Sequence, residues 1–106
     1  MIKKLFGNKN KSDYKFKEPK NTACFVCDHV LNKERDILFV THDKDDSSWQ
    51  FLCGGDDHTE ANIKIISMEQ ATDLDSTIND LFEMPEGVGA EREKIGANWI
   101  PFKISV

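Results

Sequence analysis

Two apolar runs separated by a short polar segment constrain the fold more than any other feature of this chain. Residues 37–40 read Ile-Leu-Phe-Val, residues 49–53 read Trp-Gln-Phe-Leu-Cys, and the segment between them is rich in Asp and Ser. Runs of β-branched and aromatic residues on either side of a polar turn are typical of a β-hairpin. Because nearly every residue of both runs is apolar, we expect the two strands to lie centrally in a sheet and to be covered at least partly on both faces.

Further strands are predicted on both sides of this hairpin. A first strand followed by an edge or turn is expected within residues 22–31, and another strand within 62–68, which contains three isoleucines. The glycine-containing segment 86–93 is either irregular or a short strand. In the tail, apolar residues alternate with others over 99–106, which predicts a half-buried strand, and Pro101 places that strand at a sheet edge.

Two start signals predict short helical segments after residue 66. Ser67 and Gln70 have the spacing of a capping box, in which each side chain bonds to the other residue's backbone N–H. Asp75 precedes a second segment, which Pro85 ends. The apolar residues of that segment have helical spacing and are predicted to face the core. They are Leu74, Ile78, Leu81 and Phe82.

These elements predict an α+β fold in a single domain. The sheet is expected to have about five strands, mainly antiparallel, with one or two short helices packed on one face. A chain of 106 residues with 39% apolar residues is long enough to bury a core of its own. We expect the domain to span residues 22–106. Residues 1–21, with seven lysines against Asp13 and Glu18, are interpreted as a basic flexible arm.

The charge of the chain favours a basic protein partner over nucleic acid. After residue 21 the sequence contains seven basic and seventeen acidic residues. An acidic body repels nucleic acid and accelerates association with a basic protein, although acidic surface also serves solubility alone. The carboxylates predicted to form a partner-binding rim are Asp43, Asp45, Asp46, Asp56, Asp57 and Glu60.

Two further residues are candidates for the partner-binding site, each with a structural alternative. Trp49 is either a core anchor whose indole N–H needs a partner or the aromatic centre of a binding patch. Arg92 is either an ion-pair partner of a loop carboxylate or an interface residue. Both alternatives stay open for each residue at the level of sequence.

All three cysteines and all three histidines lie between residues 24 and 58. Cys24, Cys27, Cys53 and His58 would give tetrahedral zinc three thiolates and an imidazole, and His29 or His42 could substitute. Strand alternation argues against this set, because it points Cys24 and Cys27 to opposite faces. The other interpretation is that the cysteines are small buried apolar residues and that the protein needs no cofactor.

A small cysteine enzyme is the remaining alternative. Cys27 with His29, or Cys53 with His58, would pair a thiol with a base. The sequence signals no third, orienting residue and no oxyanion site, so we predict that the protein is not an enzyme. The first residues do not resemble a signal peptide and no apolar run is long enough to span a membrane, which together with the odd number of cysteines predicts a cytoplasmic protein without membrane association.

Several short motifs resemble, in the same order, the bacterial immunity protein 33 family. They are Ser47-Ser48-Trp49-x-Phe51, Gly54-Gly55-Asp56-Asp57, the strand 63–66, Asp75-x-x-Ile78-x-x-Leu81 and Pro85-x-Gly87-x-x-Ala90-x-Arg92. The resemblance covers roughly residues 22–95 and implies a small α+β protein that neutralises a toxin of a polymorphic secretion system. The family pattern has a small residue at the position of Cys53 and often Gly at that of Ser48. We therefore expect a non-catalytic protein that binds a toxin, with a zinc-stabilised module as the alternative.

Overall fold

Six strands form one sheet in the computed structural model, which describes residues 14–104. The strands are β1 (Ala23–Cys27), β2 (Phe39–His42), β3 (Trp49–Leu52), β4 (Ile63–Ser67), β5 (Val88–Glu91) and β6 (Ile100–Lys103). Their order across the sheet is β4-β1-β3-β2-β5-β6. Strands β1 and β3 are parallel, and the other neighbouring pairs are antiparallel.

Short helical segments connect these strands and complete an α+β fold, which confirms the predicted class. They are α1 (Asp28–Leu31), α2 (Met68–Leu74) and two 3-10 turns, Glu60–Asn62 and Ser76–Leu81. The α2 residues Met68 and Ala71 are fully buried, as is Ile78 in the second 3-10 turn. The core therefore includes apolar side chains from the helical segments as well as from the strands.

The predicted hairpin is confirmed and lies at the centre of the sheet. Strands β2 and β3 pair antiparallel, with Val40 opposite Phe51, and both of these side chains are fully buried. Phe39 and Leu52 point to the other face and are half-buried. The near-continuous apolar pattern thus reflects a strand pair that is covered on both faces.

Both predicted helix starts are present. The Ser67 hydroxyl accepts a hydrogen bond from the Gln70 N–H at 3.1 Å, and the Gln70 side chain accepts one from the Ser67 N–H at 3.0 Å. Asp75 accepts from the Thr77 N–H at 2.9 Å and begins the second 3-10 turn. Placing Phe82 in the core was wrong, because its side chain is 38% exposed. A 3-10 helix has about three residues per turn, fewer than an α-helix. Residues spaced to lie on one face of an α-helix therefore do not all face the core in this segment.

Strand β6 lies at a sheet edge, as Pro101 predicted. Pro101 is opposite Ala90, and the Ile104 N–H donates to the Gly87 carbonyl at 2.9 Å. The expected half-buried face is wrong for Ile100, which is 60% exposed. An edge strand has one neighbour to cover it, so an apolar residue near its end remains in contact with water.

Part of the expected basic arm packs against the domain. Residues 1–13 lie outside the described residues, but Phe16 is only 5% exposed and its ring centroid lies 4.9 Å from that of Trp49. The Lys15 N–H also donates to the Asn79 side chain at 2.9 Å. Residues 15 and 16 of the expected arm therefore contact the rest of the protein.

Candidate functional site

The turn that joins β2 to β3 presents a group of carboxylates, and we call residues 43–48 the acidic turn. Asp45 and Asp46 are exposed and Asp43 is partly exposed. The Asp46 carboxylate accepts hydrogen bonds from the Ser48 hydroxyl at 2.7 Å and from the Ser48 N–H at 3.1 Å. These bonds lower the pKa of Asp46, so the turn is negatively charged at neutral pH.

A groove of about 700 Å³ lies beside the acidic turn. Val88, Pro101, Phe102 and Ile104 give it an apolar surface, while the acidic turn and Glu86 contribute carboxylates. Lys44 and Lys103 also line the groove, and its carboxylates outnumber these lysines by four to two. Glu86 also accepts a hydrogen bond from the Ser47 hydroxyl, which ties the turn to the segment before β5. This combination of apolar surface and carboxylates suits a partner segment that is both apolar and basic.

The second group of predicted carboxylates lies in the loop after β3, and we call residues 54–60 the acidic loop. Asp56, Asp57 and Glu60 are exposed there. The acidic turn precedes β3 and the acidic loop follows it, so the six predicted carboxylates fall into two groups at opposite ends of one strand. They do not form the single rim that the sequence suggested.

Asp57 is held in an ion pair within the acidic loop. Its two carboxylate oxygens accept hydrogen bonds from the Arg35 guanidinium at 3.0 and 2.9 Å. These bonds hold the pKa of Asp57 well below its usual range. Arg35 balances one of the three carboxylates of the loop, and Lys44 balances one of the three in the acidic turn, so the two groups have the same formal net charge.

Trp49 is a core residue in this structure. It is 2% exposed, and its indole N–H donates to the Glu18 carboxylate at 3.0 Å. The ring also stacks on that of His42, with centroids 4.0 Å apart. Trp49 can therefore stabilise the start of β3, which follows the acidic turn, but it is too buried to contact a partner.

Arg92 is likewise buried, with 6% of its surface exposed. Its guanidinium donates to the Ile37 carbonyl at 2.9 and 3.2 Å and to the Asp75 carboxylate at 2.7 Å. It also lies 4.1 Å from the centroid of the Trp99 ring. The structure places Arg92 in an internal ion pair, which is the structural alternative that the sequence left open.

The structure separates Cys24 from the other predicted metal ligands. Cys24 is fully buried, and burial raises the pKa of its thiol to about 12. Cys27, Cys53 and His58 lie together, and the fourth member of their group is His29. The ligand atoms of these four residues all lie within 4.8 Å of one another. Strand alternation correctly separated Cys24 from Cys27, but it could not show that the helical turn after β1 brings His29 to the group.

Among the described residues, no helix is both long enough and apolar enough to cross a membrane.

In comparisons with known proteins, no curated protein and no solved structure matches the chain. Residues 24–102 match the family model described as immunity protein Imm33 domain. The match includes all six strands except the first residue of β1 and the last of β6, together with the acidic turn, the acidic loop and Arg92. The chain therefore belongs to the Imm33 family of immunity proteins.

Proposed function

We propose that this protein binds a toxin protein and neutralises it without catalysing a reaction. Membership of the Imm33 family is the observation that carries the proposal, because it indicates an immunity-type role and hence a protein partner. The predicted cytoplasmic location agrees with that role. The excess of acidic over basic residues after residue 21 favours a basic toxin domain as the partner.

We further propose that the acidic turn and the neighbouring groove receive a basic segment of that toxin domain. Asp45, Asp46 and Glu86 are exposed at the groove and would meet lysine or arginine side chains of the partner. Phe102 and Ile104 would contact the apolar part of the same segment. Trp49 and Arg92 would contribute only by keeping the surrounding backbone in place.

A growth experiment tests the neutralising role. Candidate toxin domains, chosen from the genes that neighbour this one, are expressed in a bacterial host with and without this protein. We expect the toxin domain to stop growth and co-expression to restore it. If the folded protein is present at equal or higher amounts and growth is not restored, the proposed function is wrong.

A binding experiment tests the proposed surface. Replacing Asp45, Asp46 and Glu86 by lysine reverses the charge at the groove and should slow association with the toxin domain at least tenfold at low salt. The difference should shrink at high salt, because ions screen charges on exposed groups.

Two matched variants keep this binding test specific. Lysine at Asp73, Asp80 and Glu93 gives the same change in net charge at other exposed positions and should have the smaller effect. Lysine at Asp56 and Glu60 tests the acidic loop. If the control or the loop variant slows association more than the groove variant, the groove is not the binding surface, although the neutralising role can still hold.

A further inference from the structure

We propose that Cys27, His29, Cys53 and His58 form a structural zinc site. Tetrahedral zinc in structural sites is held by four thiolate or imidazole ligands. The two thiols and two imidazoles have their ligand atoms within 4.8 Å of one another. The site is independent of toxin binding, and its proposed role is to fix the acidic loop to the end of β1.

The fold explains why residues far apart in sequence meet here. Strands β1 and β3 are parallel neighbours, with Val26 level with Phe51. Their carboxyl ends therefore lie side by side, and Cys27 at the end of β1 comes close to Cys53, which directly follows β3. His29 lies in the first turn of α1, and the acidic loop returns His58 to the same place.

The distances between ligand atoms are close to those of tetrahedral coordination. His29 Nδ1 lies 3.0 Å from His58 Nε2, and Cys53 Sγ lies 3.4 Å from His58 Nε2 and 4.0 Å from His29 Nδ1. Zinc bonds of about 2.0 Å to nitrogen and about 2.3 Å to sulfur place tetrahedral ligands roughly 3.3 to 3.8 Å apart. Small side-chain adjustments would therefore suffice to bind the ion.

Hydrogen bonds around the cluster orient two of the proposed ligands, His58 and Cys53. His58 Nδ1 lies 3.0 Å from the Gly55 carbonyl, which can only accept, so Nδ1 carries the proton and Nε2 presents its lone pair to the cluster. The Gly55 N–H and the Arg35 guanidinium each lie 3.5 Å from Cys53 Sγ and donate to it. Donors of this kind stabilise metal-bound thiolates and orient metal-bound histidines.

The ligand chemistry selects zinc over harder ions. Thiolate and imidazole ligands suit zinc, whereas calcium and magnesium require oxygen ligands. Two thiolates also neutralise the charge of a divalent ion. This neutralisation is needed because Cys27 and Cys53 are buried, and an unbalanced charge in a buried site is costly. A thiol–imidazole catalytic pair would use Cys53 and His58 but would leave the convergence of Cys27 and His29 unexplained.

Metal analysis of the full chain tests the site. Protein made without added metal and purified without chelator should contain about one zinc ion per chain. Added Co²⁺ should displace the zinc or bind the metal-free protein, giving the strong visible bands of tetrahedral cobalt and a thiolate-to-cobalt charge-transfer band. Zinc that simple dialysis removes, a weak octahedral cobalt spectrum, or a disulfide between Cys27 and Cys53 in protein purified under reducing conditions would overturn the proposal.

Variants separate a metal ligand from a merely structural residue. His58 is partly exposed, so His58→Gln should fold and yet lose zinc affinity by more than tenfold. His58→Cys supplies another zinc ligand and should restore binding, with a stronger charge-transfer band. Arg35→Gln should weaken binding about tenfold through the lost hydrogen bond to Cys53. Cys24→Ala is the matched cysteine control and should keep one zinc ion per chain.

Two results with these variants would contradict the assignment. Full zinc affinity in folded His58→Gln would exclude His58 as a ligand, and loss of zinc from folded Cys24→Ala would mean that a different set of residues binds the ion. Circular dichroism of each variant, recorded with and without zinc, establishes that it is folded. Because these readouts need no toxin, they fail or succeed independently of the proposed immunity function.

Discussion

The contact between Arg92 and Asp75 joins two motifs that are separate in the sequence. Asp75 begins the second 3-10 turn, and Arg92 directly follows β5. Their side chains are 1% exposed for Arg92 and 9% for Asp75, and Arg92 also donates to the Thr77 hydroxyl at 3.0 Å. Two of the motifs that suggested the family are therefore joined by a buried ion pair between the helical segments and the sheet.

Removing the Arg92 guanidinium should destabilise the protein strongly. In Arg92→Ala the Asp75 carboxylate would remain largely buried without its cation, and loss of one partner of such a pair costs about 3–5 kcal/mol. Arg92→Lys keeps the charge but lacks the planar set of donors that reaches both Asp75 and Ile37, so we expect an intermediate loss. Urea unfolding measures both.

The control for this prediction is Lys94→Ala, which removes an exposed cation two residues further along the chain. Its free energy of unfolding should stay within about 0.5 kcal/mol of the unchanged protein. Equal unfolding midpoints for Arg92→Ala and Lys94→Ala would show that the internal ion pair contributes nothing to stability.

At the scale of secondary structure, local signals predicted some elements better than others. The hairpin and the Ser67–Gln70 capping box depend on neighbouring residues, so the sequence specifies them directly. The segment 86–93 remained undecided because its strand, β5, contains a glycine whose role depends on a distant side chain. A Cβ atom added at Gly89 would overlap the Phe102 ring and would lie 2.9 Å from the Val40 carbonyl oxygen.

Replacing Gly89 should therefore destabilise the sheet despite the small size of the new side chain. Gly89→Ala places a methyl group where the Phe102 ring lies, and overpacking of this kind costs about 1–3 kcal/mol. Phe102→Leu removes part of the clash, so the double variant should lose less stability than the two single variants together. Additive losses, measured by chemical unfolding, would show that the ring does not restrict this position.

The order of the strands in the sheet could not be predicted from the sequence. No local pattern indicates that β1 lies parallel to β3, and this pairing brings Cys27 to Cys53. Sequence reasoning therefore found three of the four clustered residues by type but retained Cys24 in place of His29. It also gave no sign that Phe16 is buried, because this residue stands alone between two lysines in the sequence.

Burial of Cys24 should make stability fall at alkaline pH. Its thiol has a pKa of about 12 in the folded protein against an ordinary value of 9.0, because burial disfavours the thiolate. This contribution is fully present below pH 9 and is lost as the pH rises from 9 towards 12. Each such group lowers the free energy of unfolding by at most about 1.4 kcal/mol per pH unit.

The variant Cys24→Ala removes this titration. Urea unfolding at several pH values above 9 should show a shallower decline for Cys24→Ala than for the unchanged protein. The comparison concerns the slope, so the small cavity that alanine leaves does not affect it. Identical slopes would mean that Cys24 does not ionise on unfolding in this range.

The position of Trp49 makes its fluorescence a reporter for the segment that precedes the sheet. The Phe16 ring packs against the indole ring in a T-shaped arrangement, and the Glu18 carboxylate accepts a hydrogen bond from the indole N–H. If this segment lifted away while the strands stayed paired, water would reach the indole and its emission would shift to longer wavelength. Trp99 lies against Arg92 instead. Its emission would remain unchanged, so a Trp99→Phe variant would leave Trp49 as the source of the fluorescence signal.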